Sequence, residues 1–456
     1  MTATASMPEN VTKRTVEKRP MEKMPTWGHW LFMPLFAVIQ VFNTLAIGII
    51  LSISTLLFAV QTVLYWIPGI KKFSQACSDV YHDGVQAIAD LVLKDPRDEP
   101  ILAAVIGLTF TAVPVFLAQL WLVEINWYLV AAFYALVYGP NIRSFVRSFS
   151  AMHQDGHLRG GVFKGGSWLE KWTGNSFVYM YLAIFRGIIP HAVAHGQQHH
   201  RENTGLQDVY STSDYDHTSM VDFTRYMIKE VMYQQFMITP FIYFRSINFK
   251  EQMRAMVAGN LIYWSLFGAL ALYSWEIAVL YMLVPWFASN FLMGVIHWSQ
   301  HTFYGGQQQD KNYLYNTTTI LESPENFLNE GYHVCHHHWK CRHWSEAPAL
   351  YDEIQDEMRA NQSVVFNDLS TMDLFLMLML KRFDAMAKKL QWWDDISHED
   401  KVALLKMRTK PVTFANPARP IAAHEELVDP VSGNKIGGNS KDFNEPVSTA
   451  QLRKTA

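Results

Sequence analysis

The chain alternates between long runs without a charged side chain and short segments crowded with histidine. No residue from Trp30 to Trp66 is charged. As one helix this run would reach ~55 Å, well past the ~30 Å hydrocarbon core of a bilayer. Basic residues flank it on both sides, at Lys13, Arg14, Lys18, Arg19 and Lys23 before and Lys71, Lys72, Lys94 and Arg97 after. The positive-inside bias places both flanks in the cytosol, so the run predicts two short or re-entrant helices. Ile101 to Val123 is a second uncharged run long enough to span. Beyond Glu124 to Asn126 it is followed by Trp127 to Tyr138, which leads into the basic segment Arg143 to Arg147. This is the pattern of a tight helical hairpin, and it recurs in Leu261 to Leu272 and Ile277 to Val295, joined around Ser274 to Glu276. Neither tip carries Lys or Arg, whereas the open ends do, so the tips face away from the cytosol and every histidine cluster faces it.

Between the hairpins the composition is mixed, with a mostly apolar stretch from Phe177 to Ile189, broken by Arg186, that predicts a segment lying along the interface. Beyond Trp344 the chain becomes charged, and Met372 to Leu390 predicts an amphipathic helix. Residues 1–25 mix Lys, Arg and Glu with no apolar core, which fits a disordered cytosolic tail and not a cleavable signal peptide. Residues 26–410 are expected to form the membrane domain, and 411–456, rich in turn formers, a flexible tail. No repeat of fixed period is present. The predicted fold is therefore all-α, a multi-pass membrane helix bundle with a cytosolic histidine-rich cap.

Composition agrees. Only 17% of residues are charged, against about a quarter in soluble proteins, while 50% are hydrophobic and 14% aromatic. A net charge of −3 and the absence of any long basic block leave no footprint for nucleic acid. Three cysteines, Cys77, Cys335 and Cys341, are too few and too oddly placed for a disulfide framework, which fits a reducing, cytosol-facing site.

Twelve of the eighteen histidines fall into four clusters, and this concentration directs the functional reading. His153 and His157, spaced i,i+4, put two imidazoles on one helical face. A lone pair of this kind is weak evidence for metal, since two polar residues at a membrane boundary look the same. The second cluster is denser: on an α-helix His191, His195 and His199 share a face, while His200 is rotated by about 100° toward a second ion. His297 and His301 close the second hairpin, and His333, His336, His337 and His338 form the last cluster. One metal cannot use so many imidazoles, which argues for two ions held mostly by neutral nitrogen. Imidazole suits zinc, copper, nickel and iron alike. A nitrogen-rich pair at the cytosolic mouth of an apolar bundle fits dioxygen activation by iron, whereas structural zinc is satisfied with four ligands.

The order HxxxH, a paired-histidine box about forty residues on, a second hairpin and then HxxHH resembles the membrane fatty acid desaturase and hydroxylase superfamily of di-iron enzymes. Glu330-Gly-Tyr-His333 with His336 and His337 is similar to the last box of acyl-CoA desaturases, and His301 with Gly305 to their extra histidine, one residue longer. The second box, HxxxHH, is one residue longer than the usual HxxHH and looks more like that of membrane alkane monooxygenases. Carried over residue by residue, the resemblance implies one iron held by His153, His200 and His336, joined by His195 if it matches the first histidine of the second box. The other would take His157, His199, His301, His333 and His337. At His297 those desaturases have an asparagine that holds a metal-bound water. His191, His297, Asp155 and Glu330 are therefore either metal ligands or partners that orient ligands. Asp208 and Asp214 join them as carboxylates that could accept an imidazole N–H; capping and solvation are equally open for each carboxylate.

The resemblance implies two Fe ions (Fe2+/Fe3+), O2 as co-substrate and a long fatty acyl or alkyl substrate in contact with membrane lipid. No haem-binding, dinucleotide-binding or iron–sulfur motif is present, so a separate ferredoxin, rubredoxin or cytochrome b5 is expected to supply electrons. The implied setting is a bacterial inner membrane or ER membrane, with the active site on the cytosolic face. Desaturation ranks first on the His301 and Glu330 contexts. Fatty acid or alkane hydroxylation follows on the HxxxHH box, and terminal-alkene-forming decarboxylation is also known in the superfamily. The rival from another class is a membrane zinc- or copper-handling protein. Transport usually places ionisable residues inside the spans, and the uncharged runs hold none.

Overall fold

The computed structural model describes residues 20–414 apart from 159, 186–193, 304–305, 309–311, 324–325 and 340–341, together with the pairs 427–428 and 435–436. Most of both predicted tails, His191 and Gly305 lie outside the described residues. Among the described residues, five helical segments are long and apolar enough to cross a membrane: Thr26–Tyr65, Pro96–Leu122, Trp127–His157, Lys250–Tyr273 and Trp275–Gln300.

The first run is not two short helices. Thr26–Tyr65 (α1) is one continuous helix of 40 residues, ~60 Å long. Its hydroxyl side chains do not interrupt it, because Thr44, Ser52 and Thr62 each bond the carbonyl four residues back. Phe36, Gln40, Asn43, Ile47, Ile50 and Ser54 are its buried residues beyond the first turn. Their alternating spacing of four and three makes one narrow seam along the helix. The remaining apolar faces, with Leu45, Ile49 and Leu56 more than half exposed, are left for lipid. Ile70–Val92 (α2) is amphipathic, with Phe73, Val80 and Leu91 exposed along one side.

Both hairpins form as expected. Glu99–Phe110 (α3) and Ala112–Leu122 (α4) make the first arm, and Trp127–Tyr138 (α5) and Arg143–His157 (α6) the second. Asn126 caps α5 by accepting from Tyr128 and Leu129 N–H. The Gln119 amide ties the tip by donating to Glu124 O and accepting from Asn126 N–H. The step from α5 to α6 passes through Gly139, Asn141 and Ile142, all at positive φ. Ser54 of α1 fastens this step, donating to Gly139 O and accepting from Ile142 N–H. The second hairpin joins Lys250–Tyr273 (α8) to a segment that ends in Val284–Gln300 (α9), with Ser274 as its cap.

Of the stretch expected along the interface, Phe177–Ile184 (α7) packs into the bundle with Val178, Tyr179, Met180, Leu182 and Ala183 buried, and 186–189 lie outside the described residues. A further expectation is corrected. The amphipathic helix from Met372 is two helices, Thr371–Met379 and Phe383–Lys389, parted where Lys381 takes φ 54°. One addition to the all-α expectation is a small sheet in which Val364–Asn367 (β2) pairs in parallel with Thr318–Leu321 (β1) and antiparallel with Leu390–Gln391 (β3). Its β-branched Thr318, Thr319, Ile320, Val364 and Val365 favour strand. β1 braces the last histidine helix, His333–His338 (α10): Thr319 Oγ1 accepts from Val334 N–H and Ile320 N–H donates to Gly331 O.

Candidate metal centre

Four elements bring the histidines together. α6 contributes His153 and His157 from one face of its last turn, both buried. α9 contributes His297, with His301 following its end, and α10 contributes His333, His336 and His337. The second box is not α-helical. His195–His199 is a π-turn, in which His200 N–H donates to His195 O five residues back. An inserted residue is commonly absorbed in this way. The wider turn brings His200 beside His195, their Nε2 atoms 3.0 Å apart, while the His199 ring still stacks on that of His195, with centroids 5.1 Å apart. His195 and His199 nevertheless fall in different sets of converging ligand atoms.

The ligand atoms of His153, His157, His195, His200 and His336 lie within 4.8 Å of one another. A second region is made of two overlapping sets that share His301: His199, His297 and His301, and His301, His333 and His337. His157 stands with His153 in the first set, the two sharing a helical face with their Nε2 atoms 3.2 Å apart. His195 joins the first set, its Nε2 2.7 Å from that of His153. His301 and His333 approach to 3.1 Å through Nε2. Two ligands held ~2.1 Å from one ion at a right angle would be ~3 Å apart, so these separations fit nitrogens converging on shared ions. The Nε2 atoms of His199 and His337 are buried and have no hydrogen-bond partner among the described residues, as expected of atoms reserved for metal.

The opposite ring nitrogens are held. His199 Nδ1–H donates to Asp208 Oδ2 at 2.6 Å, His153 Nδ1–H to Glu330 Oε1 at 2.7 Å and His337 Nδ1–H to Asn203 Oδ1 at 3.0 Å. His301 Nδ1–H points at Asn316 O, 3.2 Å away. Such partners fix the tautomer that leaves Nε2 free to ligate. Glu330 and Asp208 are two of the carboxylates for which the sequence left this role open, and both are placed to serve it, Glu330 on His153 and Asp208 on His199. Asp155 is not: two residues from His153 it faces the other side of α6, where it accepts from Ser176 Oγ and Val162 N–H. Asp214 is exposed. His338 turns to Tyr313 Oη, 2.8 Å from its Nδ1. Asn203 and Asn316 escaped the sequence reading, since an asparagine in a loop carries no signal of which ring it will meet. Tyr210 also escaped it; its ring stacks on His297, with centroids 4.5 Å apart.

Burial, and then the neighbouring imidazoles, hold His200, His333 and His337 well below the usual histidine range, and burial does the same for His301. These rings stay neutral near pH 7, the form that binds metal.

A mostly helical chain with five candidate membrane helices and buried polyhistidine clusters able to bind metal defines a class of membrane metalloprotein. Residues 125–368 match the family model described as fatty acid desaturase, a little over half of the 456 residues, and the chain belongs to that family. No curated protein and no solved structure matches it. Members of this family are typically di-iron enzymes, and the donor set here suits two such ions.

Proposed function

We propose that the protein is an O2-dependent fatty acyl desaturase whose iron pair is held by His153, His157, His195, His200 and His336 on one side and by His199, His301, His333 and His337 on the other. The observation that carries the substrate reading is a cleft between α6 and α9 with about 720 Å³ of open space, its mouth included. Glu330, which bonds His153, and Phe149, whose ring centroid is 6.1 Å from that of His153, mark the end of its lining next to the histidines, and Ile142 and Phe145 line it farther back along α6. Phe145 stands eight residues before His153 on α6, ~12 Å along the axis. A hydrocarbon chain laid with its methyl end among these apolar residues presents internal methylenes, not its terminus, to the metal end.

Iron bound there would supply the reduction of dioxygen and the oxidising power to break an unactivated C–H bond. The chain's own residues do the rest. Glu330 borders the cleft and keeps the proton on His153 Nδ1, and Asp208 does the same for His199. The apolar wall excludes water and holds the chain in register, which is the protein's main contribution to selecting a C–H bond. The balance R–CH2–CH2–R′ + O2 + 2e⁻ + 2H⁺ → R–CH=CH–R′ + 2H2O requires two electrons from outside, and a ferredoxin, rubredoxin or cytochrome b5 fills that role. The Lys and Arg bias at the open ends of the hairpins supports a cytosolic site. The longer second box weighs less toward hydroxylation once its extra residue is taken up by the π-turn.

The test is expression in a host membrane with and without His153→Ala, followed by mass spectrometry of fatty acids, alcohols and alkenes. A new in-chain double bond that vanishes in the variant supports the reading. An added hydroxyl moves the protein to the hydroxylases, and a terminal alkene one carbon shorter moves it to the decarboxylases.

A further inference from the structure

Arg408 is the last residue of His398–Arg408 (α11), forty residues past the end of the family match. It is fully buried, and no carboxylate pairs with it among the described residues. Its guanidinium instead donates to three backbone carbonyls: Nε to Phe303 O, Nη1 to Gln362 O at 2.8 Å and Nη2 to Tyr315 O at 3.3 Å. It also lies 3.8 Å from the Tyr315 ring centroid. Phe303 is two residues after His301, and Tyr315 is next to Asn316, whose carbonyl faces His301 Nδ1. The next residue, Thr409, reaches the same histidine from another side. Thr409 O accepts from His217 N–H, His217 Nε2 lies 3.0 Å from Thr212 Oγ1, and Thr212 Oγ1 donates to His301 O at 2.5 Å.

A buried cation without a counter-ion is costly. Five N–H donors in a fixed fork are suited to gathering several acceptors, and here two of the three, Phe303 O and Tyr315 O, belong to the segments that follow His301 and carry the carbonyl facing its Nδ1, while Gln362 O lies just before β2. We infer that Arg408, with the Thr409–His217–Thr212 relay, is a positioning device that sets His301, the residue common to both halves of the second metal region. The inference rests on the two-ion reading of the site. It makes the end of α11, outside the family match, part of what completes the centre. Lysine cannot replace the fork, because an ammonium on a flexible stem does not hold three segments at fixed angles.

The experiment compares the full-length protein with Arg408→Met, Arg408→Lys and Thr212→Val, each loaded with iron and examined by Mössbauer spectroscopy and metal counting, with Tm measured alongside. The inference predicts that the signal of one iron is altered or lost while the other is unchanged, in all three variants, with ~10-fold or weaker binding of that ion, the scale of lost ligand-orienting contacts. Thr212→Val keeps the test open if Arg408→Met does not fold, since it removes only the hydroxyl on His301 O. Variants with a lower Tm but both iron signals intact overturn the inference alone. A wild-type protein that binds no pair of ions overturns the two-ion reading and the inference with it.

Discussion

Replacing Asp208 with asparagine removes a charge while keeping shape, and the cost can be worked out from the three bonds the carboxylate makes. It accepts three N–H groups: His199 Nδ1 and Thr204 N on Oδ2, at 2.6 and 2.8 Å, and Tyr210 N on Oδ1 at 2.8 Å. All three positions face donors, so an amide must turn its NH2 against at least one of them. If the NH2 faces Tyr210 N–H, one buried bond to a charged acceptor is lost, ~1.5–3 kcal/mol. If it faces His199, the ring is pushed to the tautomer carrying its proton on Nε2, the atom left without a partner for metal. In that second orientation the loss corresponds to ~10–100-fold in metal affinity, the range found for partners of ligating histidines. Equilibrium dialysis of the metal-free protein against Co2+, with Asp208→Asn beside wild type, measures it. The weaker phase should be confined to one of two ions. Unchanged affinity for both ions would refute the claim that Asp208 holds His199 for ligation.

Other perturbations have equally definite outcomes. His217, which is not among the converging ligands, is pushed down to about 4 by burial. The unfolded chain therefore takes up a proton near pH 6.5 that the folded chain refuses, and stability must fall as pH drops from ~6.5 toward ~4, by up to ~3 kcal/mol from this residue. The Tm of metal-free protein should decline across that window and His217→Gln should flatten part of the slope; a level profile contradicts the burial argument. Gly331→Ala would drive its new methyl into the Ile320 carbonyl and disturb Glu330 beside it, so it should cost ~1–3 kcal/mol and lower activity, whereas wild-type Tm and turnover would show the strand yields. Cys77 is exposed on the side of α2 that carries Phe73 and Val80. An environment-sensitive fluorophore there should report an apolar setting in vesicles and be quenched by spin-labelled lipid, while a fully aqueous signal would place that stripe away from the bilayer.

Much of the fold was legible in the sequence because it depends on period and charge. Uncharged runs located the two hairpins, and i,i+4 spacing placed His153 with His157. What escaped depends on how elements meet. The α1 run could be counted but not seen to form one continuous helix, since its single packing seam from Phe36 to Ser54 appears only against partners. The approach of His200 to His195 comes with a π-turn, which an α-helical wheel cannot represent. Two segments beside His301 are tied to Arg408, more than a hundred residues away in sequence, and no local pattern announces that contact. Asp155 shows the converse error: a carboxylate between two histidines in sequence lies on the opposite face in space.

The most direct test of the account is the metal content of protein purified without oxygen from iron-sufficient cells, compared with His200→Ala and His333→Ala. The account predicts close to two irons per chain in the wild type and the loss of iron from a different region in each variant, since the two histidines belong to separate sets. Tightly held zinc or copper in the wild type, unaffected by either substitution, would contradict it.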